Sequence, residues 1–105
     1  MPGLAILSSE ADQDLVGLFS LVAADSGIDR AELILRRIES TLAALADWPG
    51  IGRRRDDLDG TPRGFAVPPW LIIYEAQPQD CGIFVWRIVD GRRDLTDLIH
   101  PPRPV

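Results

Sequence analysis

All eleven basic residues of this chain are arginine, and six of them fall at three places: the run Arg53-Arg54-Arg55, the strand residue Arg87, and the pair Arg92-Arg93. A guanidinium stays charged at any physiological pH and presents a planar fork that donates two parallel hydrogen bonds to a carboxylate or a phosphate. The chemistry available at these positions is therefore recognition of anions, although a GC-rich genome would also give an arginine-only set. The residue types for bond-making are thin. His100 is the single histidine and stands in the Pro-rich end of the chain. Cys81 sits in a loop with no histidine beside it in sequence, so it lacks the base a nucleophilic thiol needs. Tyr74 reads as a packed strand residue, and Ser8 and Ser9 as helix caps. The carboxylates Asp56, Asp57 and Asp59 could hold a divalent ion, but they also balance the three arginines just before them. Gly50 and Gly52 lack the strand–helix context of a phosphate loop. These residues imply binding, with no catalytic set, no metal and no cofactor.

The bulk properties narrow the partners. At 105 residues the chain is one domain, 1–105, able to bury a core without a metal or disulfides. A formal net charge of −5 argues against a protein that grips nucleic acid chiefly by neutralising phosphates. One cysteine excludes an intrachain disulfide, and with one histidine it leaves a structural zinc site without ligands. This thiol content fits a reducing, cytoplasmic location. No stretch has the length of a membrane span, and the Met1–Leu7 start has no basic flank before its apolar residues, so neither a membrane nor a signal peptide is expected.

The elements that must position the arginines follow from periodicity. Leu4–Leu7 is a short first strand that stops at Ser8-Ser9. Glu10 to Asp25 is helical: Leu15, Leu18, Phe19 and Val22 recur at helical spacing, with Asp12 and Asp14 loading the first turn. After Gly27, Asp29 and Glu32 resemble a capping box for a second helix, whose stripe runs Ala31, Leu35, Ile38, Leu42, Leu45. Asp47-Trp48-Pro49-Gly50 ends it, because proline cannot continue a helix. Strands are expected at Arg63–Val67, Trp70–Ala76 and Gly82–Val89, with turns at Pro68-Pro69, Gln77–Gly82 and Asp90-Gly91. From about residue 96 to 105 the chain reads as a flexible tail. The fold class is α+β: a small antiparallel sheet packed against an N-terminal helical hairpin, in the order β-α-α-β-β-β.

Alternation along the strands exposes a mismatch. One face of the last strand carries Ile83, Val85, Arg87 and Val89, the other Phe84, Trp86 and Ile88. The strand before it sets Trp70, Ile72 and Tyr74 against Leu71, Ile73 and Glu75. Both faces are mostly apolar, whereas one helical hairpin covers only one face. The expectation is an apolar surface completed by a partner; the alternatives are a tail or loop folded over it, or a homodimer. Arg87 either pairs with Glu75 or Asp94 or presents its guanidinium in a groove.

The ordered series Pro49, Gly52-Arg53, Asp57-Leu58, Arg63, Phe65, Val67, Ile72, Tyr74, Ile83, Val85, Arg87-Ile88 and Gly91-Arg-Arg-Asp-Leu95 resembles the RelE/ParE toxin superfamily, and its ParE branch most. The likeness covers nearly the whole chain, although no one of its motifs is diagnostic alone. It implies the toxin of a type II toxin–antitoxin pair, neutralised by a ParD-like antitoxin and inhibiting DNA gyrase by protein binding rather than by catalysis. On that reading Arg92, Arg93 and the C-terminal segment contact gyrase, with Arg53, Arg54 and Arg55 in support. The antitoxin meets Leu15, Leu18 and Phe19 on the first helix and a sheet face near Trp70, Ile72, Val85 and Arg87. The alternative is a RelE-like ribosome-dependent mRNA endonuclease. Such relatives carry an arginine on the middle strand, which Trp70–Tyr74 lacks here, and metal-free cleavage needs a base–acid pair that this chain does not supply. A further alternative is a fold that has lost toxicity and survives as an antitoxin-binding decoy.

Overall fold

Ser8 ends the first strand and starts the first helix. In the computed structural model, which describes residues 3–102, its hydroxyl accepts a hydrogen bond from the Ala11 N–H at 3.0 Å and donates one to the Trp86 carbonyl at 2.7 Å. This cap satisfies one of the free N–H groups of α1 (Ser9–Ser26) and ties the helix to the sheet. Gly27, at φ 93°, reverses the chain directly into α2 (Ile28–Asp47). The expected capping box does not form: Gly27 is the cap, no side chain caps α2, and Asp29 lies inside its first turn, where it still complements the helix dipole. A single 3₁₀ turn at Pro49–Ile51 follows.

Among the described residues the sheet has five strands, in the order β1-β5-β4-β3-β2. They are β1 (Leu4–Leu7), β2 (Arg53–Arg54), β3 (Arg63–Val67), β4 (Trp70–Ala76) and β5 (Gly82–Asp90). The expected order of helices and strands holds, but the sheet is mixed rather than antiparallel. β1 lies parallel to β5, from Leu4 opposite Gly82 to Leu7 opposite Val85, and periodicity carries no information about strand direction. Gly82 has φ +99°, and a Cβ there would collide with the backbone of Leu4, so glycine is what lets β1 dock. β2 is only two residues long, opposite Gly64 and Arg63.

Two clusters fill the two sides of the sheet. The helices cover Ile72, Tyr74, Ile83, Val85 and Ile88 with Ala11, Leu18, Ile38, Leu42 and Leu45. The opposite side holds Ile73, Trp86 and Val89 under Leu58, Leu95 and Ile99, with Leu98 at the margin. This corrects the expectation of a bare apolar face: the chain's own 55–62 loop and residues 95–99 close most of it. Leu95 accepts from the N–H groups of Leu98 and Ile99, and the resulting turn buries Ile99 completely. That part of the expected tail is core; residues 103–105 lie outside the described residues. The strict alternation fails as well. Ile73 opposes Arg87 while Tyr74 opposes Val85, so Trp86 is an extra residue in β5. The bulge shifts the phase, and Ile88 joins Val85 on the helix side while Val89 joins Trp86 on the other. Among the described residues, no helix is long and apolar enough to cross a membrane.

Candidate functional site

The arginines separate into held and free groups. Arg87 leaves the bulge of β5 and meets neither Glu75 nor Asp94. Its Nε and Nη2 donate to the two carboxylate oxygens of Asp14 on α1, at 2.7 and 3.0 Å. The same carboxylate accepts the Ile88 N–H at 2.9 Å. The hydrogen bonds that Arg87 donates to Asp14 push its pKa further up, against the opposing effect of burial. Arg87 is thus a clamp between helix and sheet. Asp14 is the residue that sequence reasoning missed, since one carboxylate in a helix's first turns looks like any other dipole partner.

Arg92 and Arg93 stand on the turn after β5, both exposed. Arg92 is tied locally: it donates to Asp90 from Nε at 3.0 Å, from Nη2 at 2.6 Å and from its backbone N–H at 2.9 Å. These bonds, with the positive charge of Arg92 and Arg93, bring the Asp90 carboxyl down to about 2. The partner of Arg92 is therefore Asp90, and its side chain remains 77% exposed.

At the other edge of the sheet, Arg54 pairs with Asp56 at 3.1 Å, and Arg55 makes a two-pronged contact with Asp57 at 2.9 and 2.8 Å. This is the charge balance read from the sequence, and Asp57 is lowered by its Arg55 hydrogen bond. The loop before these arginines is fixed by Tyr74, which is fully buried as expected. Its hydroxyl donates to the Pro49 carbonyl at 2.6 Å and accepts from the Gly52 N–H at 2.9 Å. Arg63 Nη1 also reaches the Gly52 carbonyl at 2.8 Å. Burial raises the Tyr74 pKa, opposed by the Gly52 hydrogen bond and the Arg63 charge. A side chain at position 52 would strike the tyrosine hydroxyl. Trp48 and Ile51 flank this loop at 69% and 52% exposure. The sequence had shown Trp48 only as part of a helix terminator.

The apolar candidates do not share one surface. Leu18, Ile72 and Val85 are buried core beneath the helical hairpin, so the sheet face expected near Trp70, Ile72, Val85 and Arg87 is not open. Leu15 and Phe19 do come together, lining with Val16, Ser20 and Leu35 an open groove of about 260 Å³ along the hairpin. Trp70 lies in a separate cleft beside Arg30, Asp90 and Arg92. His100 is exposed, with Nε2 at 3.0 Å from the Asp97 carbonyl.

A helical hairpin on one side of a small sheet, in the order β-α-α-β-β-β, is compatible with a RelE/ParE-type toxin domain. A family model described as the ParE toxin of the type II toxin–antitoxin system parDE matches residues 5–95. The chain is also 36% identical over 93 residues to Toxin ParE3 of Caulobacter vibrioides, an alignment that spans 89% of this chain and 91% of that protein. The chain therefore belongs to the ParE toxins of type II toxin–antitoxin systems, and an antitoxin partner follows from that membership.

Proposed function

We propose that this ParE-family chain arrests growth by binding DNA gyrase, without chemistry of its own, and that a ParD-like antitoxin holds it inactive in the cytoplasm. The observation that carries the reading is the turn after β5. Arg92 and Arg93 stand there exposed, offering guanidinium groups to an acidic surface, and no histidine, cysteine or tyrosine lies within the turn to act as base or acid. Arg53–Arg55 provide a second basic rim. The Leu15–Phe19 groove suits an amphipathic helix of the antitoxin, whose apolar side chains at helical spacing would fill it.

The test is tightly controlled expression of the chain with and without its neighbouring gene. Gyrase binding predicts the DNA-damage response and trapped cleavage complexes in cells expressing the chain alone, with rescue by the neighbour. Rapid loss of translated messages with intact chromosomes would replace the reading with ribosome-dependent mRNA cleavage. Unimpaired growth with intact antitoxin binding would make the chain a decoy.

A further inference from the structure

The second side of the sheet is not wholly closed. Residues 95–99 and Leu58 seal the part over Ile73, Trp86 and Val89, and they stop short of β3. Beyond them lies a cleft of about 730 Å³. Its floor is Gly64, Ala66 and Leu71, and its rim is Arg53, Arg54 and Arg55. Two of the floor residues are the smallest available, so another backbone can come close to the sheet.

The edge of the sheet at this cleft is incomplete. β4 pairs with every residue of β3, but β2 opposes only Arg63 and Gly64. Among the described residues, Phe65, Ala66 and Val67 have no strand on their outer side, and Ala66 is exposed. The chain leaves that line because the Tyr74 hydroxyl draws Pro49 and Gly52 toward the helix side. An unpaired edge is a template for an added strand. The charge at its mouth selects the strand's composition: three arginines stand against Asp56 and Asp57, whose pairs with Arg54 and Arg55 are surface contacts that an incoming carboxylate can replace. Arg53 makes no ion pair among the described residues. Exposed Ile51 adds an apolar contact at the same mouth.

We propose that this cleft receives an extended, acidic segment of a protein partner, its backbone paired to β3 around Ala66 and its carboxylates on Arg53–Arg55. The inference deepens the role proposed above for the arginine rim and rests on that rim facing a protein. Phosphate-bearing strands suit the rim less, because the chain is acidic overall and a strand edge recognises a peptide backbone.

The probe is a short fluorescent peptide of alternating glutamate and valine, titrated into the full chain and followed by anisotropy and by amide NMR. Saturable binding, weakened by salt and by Arg53→Ser at least about threefold, the weight of one rim ion pair, is the expected result. So are shifts confined to the amides of 64–67 and 53–55. The same peptide with its backbone N-methylated should not bind. Equal binding of the methylated peptide, of a lysine–valine peptide or of a single-stranded oligodeoxythymidine would overturn the proposal, as would saturation with shifts elsewhere or no binding at all. Gyrase trapping is measured separately. If trapping persists while the peptide fails, this inference falls and the gyrase reading stands; if the peptide binds and trapping is absent, the reverse holds.

Discussion

Asp14 on α1 and Arg87 on β5, 73 residues apart in sequence, form a two-pronged pair at 2.7 and 3.0 Å, and Asp14 also accepts the Ile88 N–H at 2.9 Å. β1 ends at Leu7, opposite Val85, so further along β5 a side chain supplies the Ile88 N–H with the acceptor that a strand neighbour would give. Asp14→Ala removes the partner of a largely buried guanidinium and of a backbone donor together. Urea unfolding should show a loss of about 2–3 kcal/mol. Arg87→Ala leaves Asp14 bonded to Ile88 and should cost less. Equal or reversed costs would show that the backbone contact is immaterial.

Ile99 is fully buried on the side of the sheet that the hairpin does not reach. Ile99→Ala should therefore destabilise the domain by about 2–4 kcal/mol, the range for deleting a core aliphatic side chain. It should also speed amide exchange at Ile73 and Val89, the residues it covers. A cost near that of a surface substitution would mean that residues 95–99 only rest on the sheet.

The helices were legible because their stripes are long and regular: Leu15, Leu18 and Val22 on α1 and Ala31, Ile38, Leu42 and Leu45 on α2 do face the core or its margin. The strands were legible from their β-branched and aromatic runs. What failed was non-local. The bulge at Trp86 leaves no trace in composition, so Ile88 and Val89 were assigned to the wrong sides. The direction of β1 depends on where the helical hairpin returns the chain. Leu98 and Ile99 looked like tail because two apolar residues among Asp, Thr, His and Pro form no periodic pattern. Arg87 was recognised as unusual for its strand, but its partner lay across the fold, beyond the reach of a strand-based argument.

Asp90 offers a test by titration. Its carboxyl lies at about 2, below its ordinary 3.8, chiefly because Arg92 donates to it. A depressed folded-state value means that the stabilising contact is complete above the unfolded value, near 3.8, and is lost as pH falls through about 2. Carboxyl NMR should show Asp90 still ionised at pH values where a free aspartate is protonated. Arg92→Ala should move its midpoint up toward 3.8. An unmoved midpoint would assign the shift to the turn's backbone instead of the guanidinium.

Tyr74 should matter more to the basic rim than to the sheet. Tyr74→Phe keeps the ring and removes the hydroxyl that holds Pro49 and Gly52, leaving two backbone groups without that partner. About 1–3 kcal/mol should be lost. Because the folded-state value is raised by burial, the wild-type contact persists below the ordinary value of 10.0 and is lost as pH rises through the folded one. The phenylalanine variant should lack that alkaline step. If both proteins lose stability alike above that point, Tyr74 does not titrate with unfolding.

The hairpin groove and the turn after β5 lie on different elements, so substitutions at each should separate the contacts proposed for them. Phe19 lines the hairpin groove and is half-exposed, while Arg92 and Arg93 stand on the turn after β5. Truncating an aromatic side chain that a partner covers costs roughly 2 kcal/mol or more, a weakening of about thirtyfold. Phe19→Ala should therefore weaken antitoxin binding by about that factor and leave growth arrest intact, so the neighbouring gene no longer rescues. Arg92→Ala with Arg93→Ala should do the opposite, reducing arrest while the antitoxin still binds, since those guanidinium groups are absent from the groove. Circular dichroism of each variant identifies any loss caused by unfolding. If well-folded variants at both places lose both functions together, antitoxin and target share one surface, and the division between groove and turn is wrong.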